Sequence, residues 1–491
     1  MSKKDSYYDL LGISKDATIE EIRRAYHNAA HELHPDVNFN QGATELFLKV
    51  QEAYGILSNP ASRDSYDMEL ASERNDPVTV DILYSRSNLV FLDEPQLIHV
   101  LLDLSADKRF SSMPDPPLNV CLVIDRSTSM QGPRMDTVKT AAVELIRQTN
   151  PADILSIVTF SDRAEVLVPA GRVADSHSLD AQIHMVHAGG GTEIYQGLET
   201  GFFEISRYST RSMVNHIFLL TDGRTYGDEE ACLQLTNRAA SQGIRITGIG
   251  IGTEWNDAFL DELSTRTGGN SFYISRIKNL RRFLKEKLEG LHQSFAERVI
   301  YNFPSETGVT LNSAYRIQPD SAILQTTPPI RFGNILKNST LSILLEFIVQ
   351  PIPTDVPRFT LTRGELSLLL PFDPSRSHKI EINLNRLTSR SIGTESPPKQ
   401  IFKALSQIAL FRMQEVARQD VASGRTQEAY TRLQRLAKHL FSSGEKELAQ
   451  TAIVEAERIQ QTNMFSEEGE KRIKYGTRAF LLPSEIESEE L

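Results

Sequence analysis

Cysteine is almost missing from this chain. Cys121 and Cys232 are the two among 491 residues, far apart and in apolar or helical surroundings. A disulfide framework or a four-ligand zinc site is therefore not expected, and a reducing compartment such as the cytoplasm fits. Long apolar runs are lacking too. None approaches the roughly 18 to 20 residues that a membrane-crossing helix needs. The opening MSKKDSYYDLLGISKD has no apolar core of signal-peptide length, so neither secretion nor membrane spanning is expected. Positive charge is in deficit: Lys and Arg number 53 against 64 Asp and Glu, a net charge of -11. With no basic tract to meet phosphates, general nucleic-acid binding is not expected. The chain also lacks Gly-x-x-x-x-Gly-Lys-Ser/Thr, His-Glu-x-x-His and a nucleophile elbow, the motifs of an ATPase motor, a zinc protease and a serine hydrolase. His177, His184 and His187 stand apart and read as surface residues. What remains is an ordinary composition, 40 % hydrophobic and 24 % charged, on a chain long enough for several domains.

The run LNVCLVI (118–124) is apolar throughout and rich in β-branched residues, as in a strand buried on both faces of a parallel sheet. It ends in Asp125-Arg126-Ser127-Thr128-Ser129. Alone, that pentapeptide is no more than an Asx or Ser turn capping the next helix. The pattern downstream adds to it. Strands ILSIVTF (154–160), EVLVPA (165–170), HIFLLT (216–221), RITGIGI (245–251) and SFYI (271–274) are interleaved with helices at 133–149, 194–207, 228–242, 257–267 and 277–292. Strands alternating with helices in this way predict a doubly wound α/β sheet, which binds ligands beyond the carboxyl ends of its strands. Asp222 follows HIFLLT in Thr221-Asp222-Gly223-Arg224, and Thr192 follows Gly189-Gly190-Gly191 just before a helix. Asp125, Ser127, Ser129, Thr192 and Asp222 are thus expected on one edge. Such hard oxygens suit Mg²⁺ better than Zn²⁺.

An Asp-x-Ser-x-Ser run with a separate Thr and a separate Asp resembles the metal-ion-dependent adhesion site of the von Willebrand factor A (vWA) domain, over roughly 118–290. The resemblance implies a Rossmann-like domain in which Ser127 and Ser129 bind Mg²⁺ directly. Thr192, Asp125 and Asp222 would bind it directly or through water, and Mn²⁺ or Ca²⁺ would be served by the same oxygens. Because hydroxyls supply much of the shell, the ion keeps positive character and can take a carboxylate from a partner protein. The glycines before Thr192 would allow the loop to move between two coordination states. Arg224, Tyr226, Glu193, Trp255 and Asn256 fall on loops at the same edge. Of these, Arg224, Tyr226 and Trp255 are the candidate ligand rim, although Trp255 equally suits packing beneath its own loop.

Residues 1–70 are all-α. TIEEIRRAYHNAAHEL (18–33) carries an apolar stripe and a Thr18/Glu21 capping box, and ends before Pro35. ATELFLKVQEAYGILS (43–58) carries a second stripe able to pack on the first. Tyr7-Tyr8-Asp9-Leu10-Leu11-Gly12, His34-Pro35-Asp36, Glu52-Ala53-Tyr54 and Arg63-Asp64-Ser65-Tyr66-Asp67 together resemble a J domain (DnaJ-like) in order and spacing. The resemblance implies that His34, Pro35 and Asp36, with Arg23 and Arg24, contact an ATP-bound chaperone of the seventy-kilodalton heat-shock class. The basic face of the family's docking helix is thin here: His27, Asn28, His31 and Glu32 follow Arg23 and Arg24.

Residues 71–77 read as a linker. Strand patterns at 78–117 and 293–395 make about seven strands, a β-sandwich with the vWA domain (118–292) inserted in one of its loops. Residues 396–465 read as a helical hairpin region and 466–491 as a tail that is flexible or straps another domain. The whole suggests a multidomain, non-enzymatic, cytoplasmic adaptor. Its metal site captures a protein ligand offering an acidic side chain, and its J domain recruits a heat-shock ATPase chaperone. A scaffold whose J domain has lost productive chaperone contact is the alternative. A metal-dependent hydrolase is a third, without a visible nucleophile or general base.

Over residues 1–70 seven basic residues face twelve acidic ones, so attraction to an acidic chaperone should be weak. Steady-state ATPase assays with the host chaperone should show slight stimulation at physiological salt. Stimulation should improve at low pH if His27 and His31 become charged. Strong, salt-insensitive stimulation would contradict this.

Overall fold

The computed structural model describes residues 6–13, 17–33, 41–60, 62–63, 66, 76–110, 112–173, 176–224, 227–353, 356–390 and 396–479. At the N-terminus, α1 (Tyr7–Leu11) opens on a Ser6/Asp9 capping box and closes on Gly12, whose left-handed φ of 71° a β-carbon would resist. The expected Thr18/Glu21 box is formed: Thr18 N–H donates to Glu21 Oε2 at 2.7 Å and Glu21 N–H to Thr18 Oγ1 at 3.2 Å. It starts α2 (Ile19–Leu33), which packs on α3 (Gln41–Leu57) through Ile22, Ala29, Leu33, Val50, Ala53 and Leu57. Tyr26 stacks on Tyr54 at 4.1 Å. The His34-Pro35-Asp36 motif lies outside the described residues.

Two five-stranded sheets share one apolar core. The first runs β1 (Val78–Tyr84), β3 (Gln96–Ala106), β14 (Leu341–Val349), β11 (Val309–Gln318), β12 (Ala322–Leu324). The second runs β13 (Ile330–Leu336), β10 (Ser294–Asn302), β15 (Arg358–Leu370), β16 (Asp373–Ser389), β2 (Asn88–Val90). About seven strands were expected, and ten are present among the described residues. β2 and β12 are three residues each, too short to display a period in sequence.

Between β3 and β10 the chain builds the α/β unit. Its six-stranded sheet has the order β6 (Ala164–Gly171), β5 (Ile154–Phe160), β4 (Leu118–Asp125), β7 (Val214–Thr221), β8 (Ile244–Ile251), β9 (Ser271–Ile274). All neighbours are parallel except β5 and β6. Helices α4 (Pro133–Arg147), α5 (Ser176–His184), α6 (Ile194–Ser206), α7 (Glu229–Gln242), α8 (Asp257–Arg266) and α9 (Leu280–His292) cover it, with a separate apolar core on each face. The four central strands are buried along their whole length, which is why they read as continuous apolar runs. Cys121 and Cys232 are free and buried. The register pairs Asp125 with Phe160, Ile124 with Leu220 and Thr221 with Gly250, so the strand ends align into one edge.

Buried cations join the parts. Arg386 on β16 lies 3.4 Å from the centre of the Tyr84 ring and donates to the Gly12 and Ser87 carbonyls at 3.4 and 3.3 Å, while Leu387 joins the N-terminal helical core. The C-terminal region packs α10 (Lys399–Ala422) on the outer face of the first sheet through Ile401, Ala404 and Ile408, with α11 (Thr426–Ser442) and α12 (Lys446–Thr462) beyond. The segment expected as a tail from 466 begins as a helix, α13 (Glu467–Ala479), and it is a strap. Its amphipathic spacing is masked by seven charged residues in thirteen, yet Lys474 and Arg478 are buried. Lys474 Nζ pairs with Asp257 and, at 2.7 Å, with Asp261. Arg478 pairs with Asp261 at 2.9 Å, and Arg418 of α10 with Asp257 at 3.1 Å. Tyr475 enters the α/β core beside Trp255.

Burial alone would raise Asp257 and Asp261, but the charges of Lys474, Arg418 and Arg478 outweigh it and hold both carboxyls below the usual range. A depressed folded value stabilises above the unfolded value of about 3.9 and loses that contribution as pH falls through the folded value. The strap should therefore stay docked down to about pH 5 and release only in strongly acid solution. Emission of Trp255, the one tryptophan, reports it. A shift to a solvent-exposed spectrum between neutral pH and about pH 5 would contradict the clamp.

Candidate functional site

Asp125 is the last residue of β4 and Asp222 the first after β7, and both are buried, at 0 % and 1 % exposure. Their compensation organises the edge. Asp125 Oδ1 accepts the Ser127 N–H at 2.8 Å, an Asx turn, and Oδ2 accepts the Thr221 hydroxyl at 2.7 Å. The plain turn is thus real, but it is not alone. Ser127 Oγ lies 3.0 Å from Ser129 Oγ, which donates to Asp222 Oδ1 at 2.6 Å. Thr192 arrives from the loop before α6: a β-carbon on Gly223, next to Asp222, would stand 3.0 Å from Thr192 Oγ1. The five sequence-predicted oxygen donors are therefore gathered at one edge. Burial pushes the Asp125 carboxyl up to about 6, against the Ser127 and Thr221 donors.

The donors are two carboxylates and three hydroxyls, an all-oxygen set of the kind hard divalent cations take. Among the described residues no three His, Cys, Asp or Glu side chains gather as a metal cluster. A set weighted to hydroxyls is consistent with that.

Sequence reasoning missed three contributors. Thr221 was adjacent to a named residue but its bond to Asp125 crosses two strands. Arg134, near the start of α4, places Nη1 2.7 Å from Asp222 Oδ2 and 3.2 Å from the Ser129 carbonyl. Asp162, after β5, accepts the Gly191 N–H at 2.9 Å. No spacing signals the last two, because they lie 88 and 29 residues from their partners.

The glycine loop is tied down. Gly189 N–H donates to the Arg126 carbonyl at 2.7 Å, and the Thr128 N–H and hydroxyl both donate to the Gly190 carbonyl, at 3.1 and 3.0 Å. Gly190 has a φ of 91°, and a β-carbon there would come within 2.5 Å of Asp162 Oδ2.

Of the expected rim, Arg224 is exposed and its Nε donates to the Glu254 carbonyl at 3.0 Å. Tyr226 lies outside the described residues. Trp255 is a correction: at 1 % exposure it cannot anchor a ligand. Its Nε1 donates to the Gly252 carbonyl at 2.9 Å, Tyr475 covers it at 5.6 Å between ring centres, and Lys471 Nζ sits 4.9 Å over its ring. Asn256, taken with it, caps α8 by accepting the Phe259 N–H at 3.1 Å. On α2, Arg23, Arg24, His27 and His31 are exposed.

Comparison with known proteins follows these divisions. Family profiles match a DnaJ domain over residues 6–67, a von Willebrand factor type A domain over 119–286 and an Sll0103-like, C-terminal alpha-helical domain over 399–483. The chain therefore carries a DnaJ domain and a vWA domain. The uncharacterized protein sll0103 of Synechocystis is 26 % identical over 390 residues, 76 % of this chain and 90 % of that one. The chaperone protein DnaJ of Hydrogenobacter thermophilus is 50 % identical over 66 residues, 13 % of this chain and 18 % of that protein, so the likeness stops at the J domain. Among solved structures, a von Willebrand factor type A protein from Catenulispora acidiphila superposes with a TM-score of 0.63 at 16 % identity, covering 82 % of this chain and 96 % of that one. The ArnB paralog VWA2 from Sulfolobus acidocaldarius gives 0.51 at 14 % identity, covering 83 % and 100 %. At these identities the likeness is one of fold.

Gly190→Ala forces a left-handed backbone on an L-residue and crowds Asp162, at a cost of about 1–2 kcal/mol. The thermal midpoint should fall accordingly. An unchanged midpoint would mean that the loop is not pinned.

Proposed function

We propose that this chain is a non-enzymatic co-chaperone adaptor. In this reading the oxygen cluster at the sheet edge holds Mg²⁺ as a metal-ion-dependent adhesion site, which takes an acidic side chain of a protein ligand. The DnaJ domain brings a heat-shock ATPase chaperone to what is held. The domains themselves support the coarse form: a DnaJ domain suggests co-chaperone activity and a vWA domain suggests protein interaction. The observation that carries the finer form is the hydrogen-bonded run Ser127–Ser129–Asp222, with Asp125 and Thr192 against it. Mg²⁺ takes six oxygens and keeps some waters. Ser127 and Ser129 would bind it directly and Thr192, Asp125 and Asp222 directly or through water, with Mn²⁺ and Ca²⁺ as alternatives. Bound, the ion supplies positive charge to the partner's carboxylate. Arg224, exposed but with Nη2 3.7 Å from Glu467 Oε1, remains the proposed rim residue.

The proposal divides the chain into a J domain (1–70), a linker (71–77), a β-sandwich (78–117 with 293–395), the vWA domain inserted in it (118–292), and a helical region from 396 that includes the strap. The flanking of the α/β unit by β3 and β10 supports the insertion. Insertion at the opposite end of the sheet from the cluster would leave the edge free for a ligand. Chaperone contact falls to His34, Pro35 and Asp36 with Arg23 and Arg24. The cytoplasm is the proposed compartment, and neither nucleic acid nor membrane is a proposed partner.

The second reading, a metal-dependent scaffold with a degenerate J domain, is favoured by one observation. The exposed face of α2 offers two permanent cations, Arg23 and Arg24, followed by His27 and His31. Two variants separate the readings. His34→Gln should abolish stimulation of chaperone ATPase; activity identical to the native chain's would remove the adaptor role. Asp125→Ala should abolish Mg²⁺-dependent, chelator-sensitive ligand capture in a pull-down read by mass spectrometry, while the fold is kept. Capture that survives means that the partner binds elsewhere.

A further inference from the structure

We propose that Arg134 is the internal counter-cation of the metal site, and that it sets the site's affinity by competing with the ion for Asp222. The inference rests on the metal-dependent reading above.

Asp222 is buried with both carboxylate oxygens engaged, Oδ1 by the Ser129 hydroxyl and Oδ2 by Arg134 Nη1 at 2.7 Å. The second buried carboxylate, Asp125, has only neutral donors, the Ser127 N–H and the Thr221 hydroxyl. A buried charge left without a partner is strongly destabilising, so the one guanidinium at Asp222 carries much of the compensation for the pair.

The local chain is built to deliver it. Gly132 turns with a φ of 76° and Pro133 begins α4, which places Arg134 in the first turn of the helix. There the same Nη1 also reaches the Ser129 carbonyl at 3.2 Å, tying the guanidinium to the Asp-x-Ser-x-Ser turn. Opposite, Gly252 has a φ of 70°, and a β-carbon there would stand 3.0 Å from Arg134 Nη2, so the absence of a side chain leaves the space that the fork fills.

Arg134 is also free to leave. Its side chain is 40 % exposed whereas Asp222's is 0 %, so the arginine can swing into water while the carboxylate cannot. A divalent ion drawing on Asp222 and a guanidinium on the same carboxylate repel each other at close range. The ion must displace the arginine or bind beside it at reduced affinity. Either way, the positive charge at position 134 opposes metal binding and stabilises the edge without it.

The test uses the full chain. Isothermal titration with Mn²⁺ and Mg²⁺ compares the native protein with Arg134→Gln and Arg134→Lys, and thermal midpoints are taken in chelator and in saturating metal. Removing a unit charge a few ångströms from the ion should tighten binding about tenfold in Arg134→Gln. The midpoint of that variant should drop in chelator and recover in metal. Arg134→Lys, which keeps the charge, should stay near native affinity. Equal or weaker metal binding by Arg134→Gln overturns the inference and leaves the metal reading standing. Tightening by Arg134→Lys equal to that of Arg134→Gln overturns the role of charge. Absence of binding in all three overturns the metal reading and this inference with it.

Discussion

Two carboxylates buried side by side at the end of a parallel sheet are the constraint around which this molecule's functional edge is arranged. Parallel register pairs Ile124 with Leu220, so Asp125 stands level with Thr221 and Asp222 follows one residue beyond, at the same edge. Neither can be left unpaired in so dry a place. The neighbouring donors follow from that need: a backbone N–H, the Thr221 and Ser129 hydroxyls, and the Arg134 guanidinium. Even with these donors, burial pushes the Asp125 carboxyl up to about 6. An edge that gathers two buried carboxylates and several hydroxyls offers the kind of all-oxygen set that divalent cations take.

The same logic of buried charge recurs where the parts of the chain meet. Lys474 and Arg478 face Asp257 and Asp261, Arg412 faces Glu346 at 3.0 Å, and Arg386 lies on Tyr84 against the first helix. Each is costly to break from one side only, since the remaining partner is stranded. Such contacts set orientation more than they add net stability. One of them bears on the site: Lys471 donates to the Trp255 carbonyl at 2.7 Å, in the loop that also receives Arg224 at Glu254. The C-terminal helix is therefore anchored beside the sheet edge that gathers Asp125 and Asp222.

Much of this is legible in the sequence. Strands buried on both faces leave unbroken apolar runs, and a polar residue closing such a run marks the sheet edge; Asp125 and Asp222 were found that way. The capping box at Thr18 and Glu21 is local chemistry and was read directly. What escaped depends on distant partners. Trp255 looked like a rim residue because its loop is at the edge, but Tyr475, some 200 residues later, covers it. The segment from 466 read equally as a flexible tail or a strap, because the counter-charges of Lys474 and Arg478 lie on another domain. Arg134 carried no signal because a single arginine at a helix start is unremarkable until Asp222 is placed against it. Strands of three residues such as β2 escape for a different reason, having too few positions to show alternation.

In the proposed function, five oxygens from three separate segments form one hard-cation site. Its most direct measurement is electron paramagnetic resonance titration of Mn²⁺ into the full chain, repeated on the Ser127→Ala/Ser129→Ala double variant. The account predicts one bound Mn²⁺ per native chain, displaced by Mg²⁺, and its loss in the double variant while the circular dichroism spectrum stays native. Absence of bound Mn²⁺ in the native chain, or binding that persists unchanged without the two hydroxyls, would contradict it.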